Sequence, residues 1–547
     1  MFTDGWYNRS MTINETVEVE SKFEVDDDIP APSADAFAPL VVDGPDEYEL
    51  SAVYYDTDDL SLTRHKVTLR RRTGGDDEGW HLKLPAHAGR VELQAPLGDE
   101  VPDEFLSAVA GLVRRRPLAP VARIDNLRRV HTLRDDHGAA VIEFCDDHVS
   151  TEAFVNGGSA ATWREWEAEI VDPARPDAHA HLAAVAAACT DAGATTSSSS
   201  SKLARAIGPL PDAGDEGVSP VRDALARDLG TLLDHDPAAR RTTMVGVHQM
   251  RVAVRGLRST ISTYAAELEA DAADTDLDLP GLLAELKVLA AVLGRLRDIQ
   301  VVDERLGDLA AGYPEDVVSP QIRQRLRVEL DAEARRAGER VTSALLSDRY
   351  LDLVDRLHEL ARVAGGTTAK GGKKKRREAG ELMLSGVDRQ FKKFTKVRTR
   401  TERDLAELDL TLAEREELTH VVRKRAKALR RNVNALPGTD GLTVAPLRDA
   451  CQRLHTVLGD VQDSVTTRRW LRRIARRAEI AGESTFGFGV LFERERGFSE
   501  RALDGFESDA AAVTAAYREL SESRRAARKR RKKDEKAKKG KKKGGRK

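Results

Sequence analysis

Cysteine is almost absent. Cys145, Cys189 and Cys451 are the only three in 547 residues, and none falls in a CxxC or Cys/His spacing. That excludes a disulfide framework and a cysteine-based zinc site, and it reads as buried thiols of a reducing cytoplasm. Aromatic residues make up only 5% of the chain, and mean hydropathy is -0.47. No apolar run approaches the roughly 18 residues a membrane-spanning helix needs, so no membrane partner is expected. Nor does a basic start lead into an apolar stretch, so no secretory signal is expected. What the chain has in abundance is charge: 88 Lys or Arg against 91 Asp or Glu, a third of all residues, for a net of -3. A hydrophobic content of 40% excludes a wholly disordered chain, and the length predicts several domains with sizeable cores.

The near-zero total is a cancellation. Residues 1–210 hold 20 basic against 37 acidic side chains, and residues 521–547 hold 16 against 3. An acidic first third, a balanced middle and a basic tail imply modules with separate tasks. The stretch 365–377 carries six basic residues and no acid, and it reads as a flexible cationic insert. The tail, 521–547, has little apolar surface to bury and is expected to be disordered. Its Lys/Arg run also suits contact with nucleic acid.

The first third reads as strands. Val17, Val19, Ser21 and Phe23 alternate with Glu18, Glu20, Lys22 and Glu24, the period of a β-strand. The pattern recurs: Arg70 and Arg72 share a face, as do His81 with Lys83, Arg90 with Glu92, Glu143 with Asp147, and Glu165 with Glu167 and Glu169. A charged strand face usually meets water. These faces, however, lack the admixture of Thr, Gln and Ser that solvated faces carry. Strands closed into a barrel place one face inside, and an interior of both signs needs a ligand that satisfies both. A phosphate chain with a divalent metal does so: carboxylates hold the metal, and Arg and Lys take the phosphate oxygens.

Glu18-x-Glu20-x-Lys22 resembles the signature of the CYTH domain, the triphosphate tunnel metalloenzymes. Later features follow in order: YYDT at 54–57, LRRR at 69–72, Lys83, Arg128, Asp147, the Glu165/Glu167/Glu169 strand and Lys202. The resemblance covers 11–207 and implies an eight-stranded antiparallel β-barrel whose tunnel binds a triphosphate. It implies Glu18, Glu20, Asp147, Glu167 and Glu169 as carboxylates for Mg²⁺ or Mn²⁺. Lys22, Arg70, Arg72, Lys83, Arg128 and Lys202 are implied as phosphate ligands. Glu18, Glu20, Lys22, Asp147 and Glu169 carry the expected catalysis, with either Glu169 or Asp147 orienting a second metal that activates water.

From about residue 219 the period changes to that of helices. His248, Arg251, Arg255 and Arg258 lie at offsets 0, 3, 7 and 10, on one helical face. His420, Arg423, Lys427 and Arg430 repeat those offsets 172 residues later, and each stripe is followed by LGxxxD, at 293–298 and 458–463. Two basic helices, each trailed by the same motif, are an internal repeat. The repeat resembles the CHAD domain over 215–520, with halves at about 215–364 and 379–520 around the insert 365–378. That implies two pseudo-symmetric helical bundles whose basic stripes bind inorganic polyphosphate, with Asp298 and Asp463 orienting the basic side chains. The expected protein is α+β and multidomain: a cytoplasmic, metal-dependent hydrolase of inorganic triphosphate or short polyphosphate, with polyphosphate granules as a possible setting. A non-catalytic polyphosphate binder, a nucleotide or thiamine triphosphatase and an adenylate cyclase are the alternatives.

Overall fold

The computed structural model describes residues 14–86, 89–199, 201–210, 219–364, 373–434, 436 and 442–544. Most of the cationic insert, 365–372, therefore lies outside the described residues. The chain divides into two compact units: Met1–Ala213 with Asp236–Arg241, and Gly214–His235 with Thr242–Lys547.

The first unit holds ten strands: β1 (Asn14–Glu18), β2 (Glu20–Val25), β3 (Val41–Asp56), β4 (Thr68–Thr73), β5 (Gly79–Pro85), β6 (Arg90–Ala95), β7 (Ala119–Arg134), β8 (Ala140–Ala153), β9 (Ala160–Ile170) and β10 (Thr195–Thr196). Its helices are α1 (Ser61–Arg64), α2 (Asp103–Val113), α3 (Ala178–Asp191) and α4 (Lys202–Ile207). All strand pairs are antiparallel, in the order β1-β6-β5-β4-β3-β7-β8-β9-β2-β10.

This corrects the expected closed eight-stranded barrel: the sheet is open and has ten segments. The run 17–25, whose alternation reads as one strand, breaks at Val19. Its first half pairs β6 and its second half pairs β9. Because β1 and β2 lie toward opposite margins yet are one residue apart in the chain, the sheet must curl until those margins meet. Val19 ties them covalently where no ladder does.

The outward face carries Phe23, Ile142, Phe144, Trp166 and Ile170 under Leu182, Val185 and Cys189 of α3. On the inner side, α4 sets Leu203, Ala206 and Ile207 against Ala52, Ile124 and Val149. Gly89, in the β5–β6 turn, has φ +84°, and a Cβ there would lie 2.0 Å from the Glu18 carbonyl oxygen. Gly89→Ala is therefore expected to destabilise this unit by about 1–3 kcal/mol, measurable by denaturant titration.

The second unit is helical: α5 (Pro220–Asp234), α7 (Met244–Thr263), α8 (Ala265–Asp271), α9 (Leu279–Ala311), α10 (Pro320–Leu346), α11 (Asp348–Val363), α12 (Lys373–Glu407), α13 (Leu412–Asn434), α14 (Ala445–Ile480), α15 (Phe486–Asp504) and α16 (Phe506–Gly544). The short α6 (Asp236–Arg240) belongs to the first unit. Ser219, Thr243, Asp278, Ser319 and Ser347 cap their helices by accepting from backbone N–H groups. Val247, Met250, Val254, Leu257 and Ile261 form the buried stripe of α7. Thr419, Val422, Ala426, Leu429 and Val433 repeat it on α13 at the same 172-residue offset. Each basic stripe sits one residue round from its buried stripe, and α7 and α13 pack together. The tail, expected to be disordered, continues α16 as helix through Gly544. Lys, Arg and Ala are good helix formers, so propensity favours helix there.

Candidate functional site

The curled sheet encloses a cavity of about 350 Å³ lined by seven Lys or Arg and seven Asp or Glu side chains. Strand register brings them together: Lys22 faces Glu167, Glu20 faces Glu169, Lys83 faces Glu92, and Arg128 faces Asp147. Ten of the eleven residues expected in the tunnel line this cavity: Glu18, Glu20, Lys22, Arg70, Arg72, Lys83, Arg128, Glu167, Glu169 and Lys202.

Asp147 does not line it. The side chain is fully buried and holds Arg128 through two hydrogen bonds of 2.8 and 2.6 Å. Asp147, Glu165 and Glu167 stand close enough to share a cation, but that place is taken by the Lys202 ammonium, at 2.9, 2.6 and 2.8 Å from the three carboxylates. Local sequence explains the aim of Lys202. Ser201 caps α4 by accepting from the Ala204 amide, which makes Lys202 the first helical residue. Lys22 adds an ion pair to Glu167 and another, of 2.8 Å, to Glu20. Burial opposes ionisation of Asp147, but Arg128 and Lys202 outweigh it and hold the carboxyl at about 2.

A second part of the cavity is cationic. Arg70 donates to the Tyr54 hydroxyl at 3.4 Å and lies 3.6 Å from Glu92, while Arg72 is ion-paired with Asp77. The Nε groups of both arginines are buried without a partner. Burial, with Arg70 and Arg128 nearby, pulls Arg72 down to about 9. Buried N–H groups of this kind call for an anion.

A third part is carboxylate-rich. Glu18 accepts from Lys83 at 2.7 and 2.8 Å, and burial raises its pKa. Burial likewise pushes Glu20 up, but Lys22 and Lys83 hold it below the usual carboxylate range. Glu169 forms no ion pair among the described residues. Burial, then the like charges of Glu18 and Glu20, push it up to about 8. A carboxyl held away from ionisation beside two more carboxylates lacks a cation. Glu18 and Glu20 are paired with Lys83 and Lys22, and among the described residues the carboxylates whose oxygens stand close enough together to share one cation are Asp147, Glu165 and Glu167.

Several lining residues were not among the expected ligands. Glu92 accepts from His81, 2.9 Å from its Nδ1, and lies 3.7 Å from Lys83. The alternation Arg90-x-Glu92 placed it on a charged face. Tyr54, Asn126 and Gln94 also line the wall, and nothing in strand alternation marks them.

In the helical unit the two stripes converge on a cavity of about 880 Å³. His248, Arg251, Arg255, His420, Arg423, Lys427 and Arg430 line it, whereas Arg258 is not among its lining residues. Arg227, Arg297, Arg431 and His455, which the stripes did not include, join them, giving eight Arg or Lys against four Asp. Arg251 pairs with Asp298 at 3.0 Å. The glycine of each LGxxxD motif makes room for an arginine: Gly294 lies under the Arg251 guanidinium and Gly459 under that of Arg423. Burial, then Arg423, Arg255 and Arg251, drive Lys427 down to about 6, and burial with its neighbours lowers Arg255 to about 9. Arg430 donates to His455 Nδ1 at 2.9 Å, and burial, then the positive charges of Lys427 and Arg430, pulls that imidazole down to about 3. The Nε groups of Arg255 and Arg423 are buried without partners.

A curled antiparallel sheet around a cavity of balanced charge, followed in sequence by a helical repeat, defines an α+β protein of the triphosphate tunnel enzyme class. The CYTH domain family matches residues 16–170 and the CHAD domain family matches 223–472. The chain is 36% identical over 533 residues to uncharacterized protein MT2285 of Mycobacterium tuberculosis, covering 93% of this chain and 98% of the relative. Among solved structures, the CHAD domain of the plant Ricinus communis is 20% identical, with 54% of this chain and 91% of that one covered at a TM-score of 0.40. HpAC1 of Hippeastrum, a putative adenylyl cyclase described as having a dominant triphosphatase activity, is 18% identical, with 36% and 98% covered at 0.21. The chain belongs to the family of proteins that carry a CYTH domain and a CHAD domain. It is an enzyme of the phosphohydrolase or cyclase type.

Proposed function

We propose that the tunnel hydrolyses inorganic triphosphate or short polyphosphate with Mg²⁺ or Mn²⁺, and that the helical cavity binds inorganic polyphosphate. The observation that carries this reading is the contrast between the two cavities. Seven basic against seven acidic side chains suit a phosphate chain that brings its own metal, whereas eight against four suit a bare polyanion. In the tunnel, Glu18, Glu20 and Glu169 would hold the metal, which when bound supplies charge neutralisation at the phosphoryl oxygens. Arg70, Arg72, Arg128 and Lys83 would take the phosphate oxygens. Of the two residues proposed to orient a second, water-activating metal, Glu169 is favoured over Asp147, because Arg128 and Lys202 already occupy Asp147. A cytoplasmic setting at polyphosphate granules belongs to the same reading.

Phosphate release from tripolyphosphate, ATP and thiamine triphosphate, each with Mg²⁺ or Mn²⁺, tests the enzyme. Tripolyphosphate should be turned over fastest, and a preference for either organic triphosphate would overturn the assignment. For the helical cavity, Arg251→Ala combined with Arg423→Ala should weaken polyphosphate retention by the full chain.

Binding there should also strengthen as pH falls from 8 to 6. Lys427, at about 6, is largely neutral in the free protein at pH 8, so a bound anion must draw in a proton, and affinity falls as pH rises. The groups facing Lys427 are Arg251 and Arg255 of α7, Arg423 and Arg431 of α13, and His455 of α14. Calorimetry in two buffers of different ionisation heat would register the proton, and a pH-independent affinity would contradict the prediction.

A further inference from the structure

The two halves of the helical repeat differ in charge just past their shared motif. After LGRLRD, α9 continues with Asp303, Glu304, Gly307 and Asp308; at the equivalent positions after LGDVQD, α14 carries Arg468, Arg469, Arg472 and Arg473. Three acidic positions become arginine, the neutral Gly307 becomes Arg472, and Arg305 gives way to Trp470. On the acidic side, Asp303 is buried enough to be raised, with Asp331 and Glu304 adding to the effect, and the one arginine among residues 303–308, Arg305, is paired with Glu495 at 2.8 Å. On the basic side a second, smaller cavity of about 160 Å³ opens between α13, α14 and α15. His420 and Gln462 line both cavities, so the two adjoin.

The cations of this outer cavity are not equivalent. Arg468 is committed: its guanidinium pairs with the buried Glu416, which also accepts from Ser499. Arg473, which does not line the cavity, pairs with Glu333 at 2.7 Å. Arg469 and Arg472 form no ion pair among the described residues and are exposed. Arg472 lies over Phe492, 4.9 Å from the ring centroid, and Arg468 lies 5.8 Å from it. The ring thus braces guanidinium groups, which leaves it a poor platform for stacking a nucleobase and favours a ligand made of phosphate alone. From Gln462 to Arg469 is seven residues, about 10 Å along the helix.

We propose that Arg469 and Arg472 form an outer phosphate subsite that extends the helical cavity in one direction only. A polyphosphate chain long enough to fill the inner cavity would run past His420 and Gln462 onto α14, and would end, at the opposite side, against the carboxylates of α9. The inference rests on the polyphosphate reading of the inner cavity and adds a direction and a length dependence to it. Short chains would be held by the inner cavity alone, whereas long chains would gain the two arginines.

The test uses the full chain in EDTA, which stops turnover, with short-chain and long-chain polyphosphate as separate probes in calorimetry or fluorescence competition. Arg469→Glu combined with Arg472→Glu should lower long-chain affinity by about tenfold or more, leave short-chain affinity within about twofold, and make the salt dependence of long-chain binding shallower. Arg469→Gln with Arg472→Gln should show a smaller loss in the same direction, which separates lost charge from disturbed folding. If wild-type protein holds long chains and neither pair of substitutions changes that, the outer subsite is wrong while the inner one stands. If wild-type protein holds no polyphosphate of any length, the underlying reading fails instead. A single-stranded oligonucleotide that binds with the same dependence on Arg469 and Arg472 would overturn the assignment of a phosphate-only ligand.

Discussion

Lys202→Met is expected to destabilise the N-terminal unit by about 3–5 kcal/mol, read as an earlier denaturant midpoint in the fluorescence of the buried Trp166. The side chain is nearly matched in length, so the loss is one of charge. Lys202 is the ammonium at which Asp147, Glu165 and Glu167 converge. Without it, Arg128 and Lys22 must balance three buried carboxylates and Glu20 as well. An uncompensated buried charge weakens a fold far more than the intact pair strengthens it. Lys202→Arg keeps the charge and should recover part of the loss.

The pH dependence separates charge from packing. Asp147 is held at about 2 against an ordinary 3.8, and Glu167 is held well below its ordinary value by Lys202, Lys22 and Arg128 against the opposing effect of burial. Depressed carboxyls contribute stability that is present above their unfolded pKa values and is lost as pH falls toward the folded ones. The deficit of Lys202→Met relative to wild type should therefore be largest near neutrality and should narrow as pH drops from 4 toward 2. An equal deficit at pH 7 and pH 3 would mean that Lys202 acts through packing alone.

Much of this site is legible in the sequence because strand alternation has only two faces. Once Glu18, Glu20 and Lys22 share one, the choice is between water and an interior, and the ionisable composition decides it. The same logic places Arg70 and Arg72 together, and the 172-residue offset makes the helical repeat visible without coordinates. What alternation does not contain is depth. Glu167 and Asp147 both belong to charged faces, but only the fold reveals that α4 drives Lys202 between them and seals Asp147 behind Arg128. The break at Val19 is hidden for a related reason: the pattern of residues 17–25 is uninterrupted, and only the change of partner from β6 to β9 divides the strand. On helices the limit is length. A stripe at offsets 0 to 10 spans about 15 Å, and on α7 the cavity wall runs on to Ser259 and Thr260 while passing Arg258 by. Arg297, Arg431 and His455 reach the cavity from positions that no single-helix stripe includes.

Glu20→Gln and Glu169→Gln should each reduce phosphate release from tripolyphosphate by about three orders of magnitude, equivalent to about 4 kcal/mol of barrier. Glu169→Gln should nevertheless leave the unit as stable as wild type or more so. These two effects have opposite signs because Glu20 and Glu169 face each other across the β2–β9 ladder, where like charges are unfavourable, and Glu169 is already pushed up to about 8 by burial and by Glu18 and Glu20. As a purely structural group this carboxyl gains the fold nothing, since its amide would relieve the repulsion and fill the same space. A divalent cation joining the group during turnover would reverse that balance. The measurement is therefore paired: turnover and unfolding midpoint on the same protein, with and without Mn²⁺. Wild type should gain stability from Mn²⁺ and the two variants should gain less. Unchanged turnover in Glu20→Gln, or an undiminished Mn²⁺ effect in both variants, would remove Glu20 and Glu169 from the metal assignment. Lys202→Met, by contrast, should lose stability at neutral pH, which distinguishes Glu169, without an ion pair among the described residues, from the carboxylates that converge on Lys202.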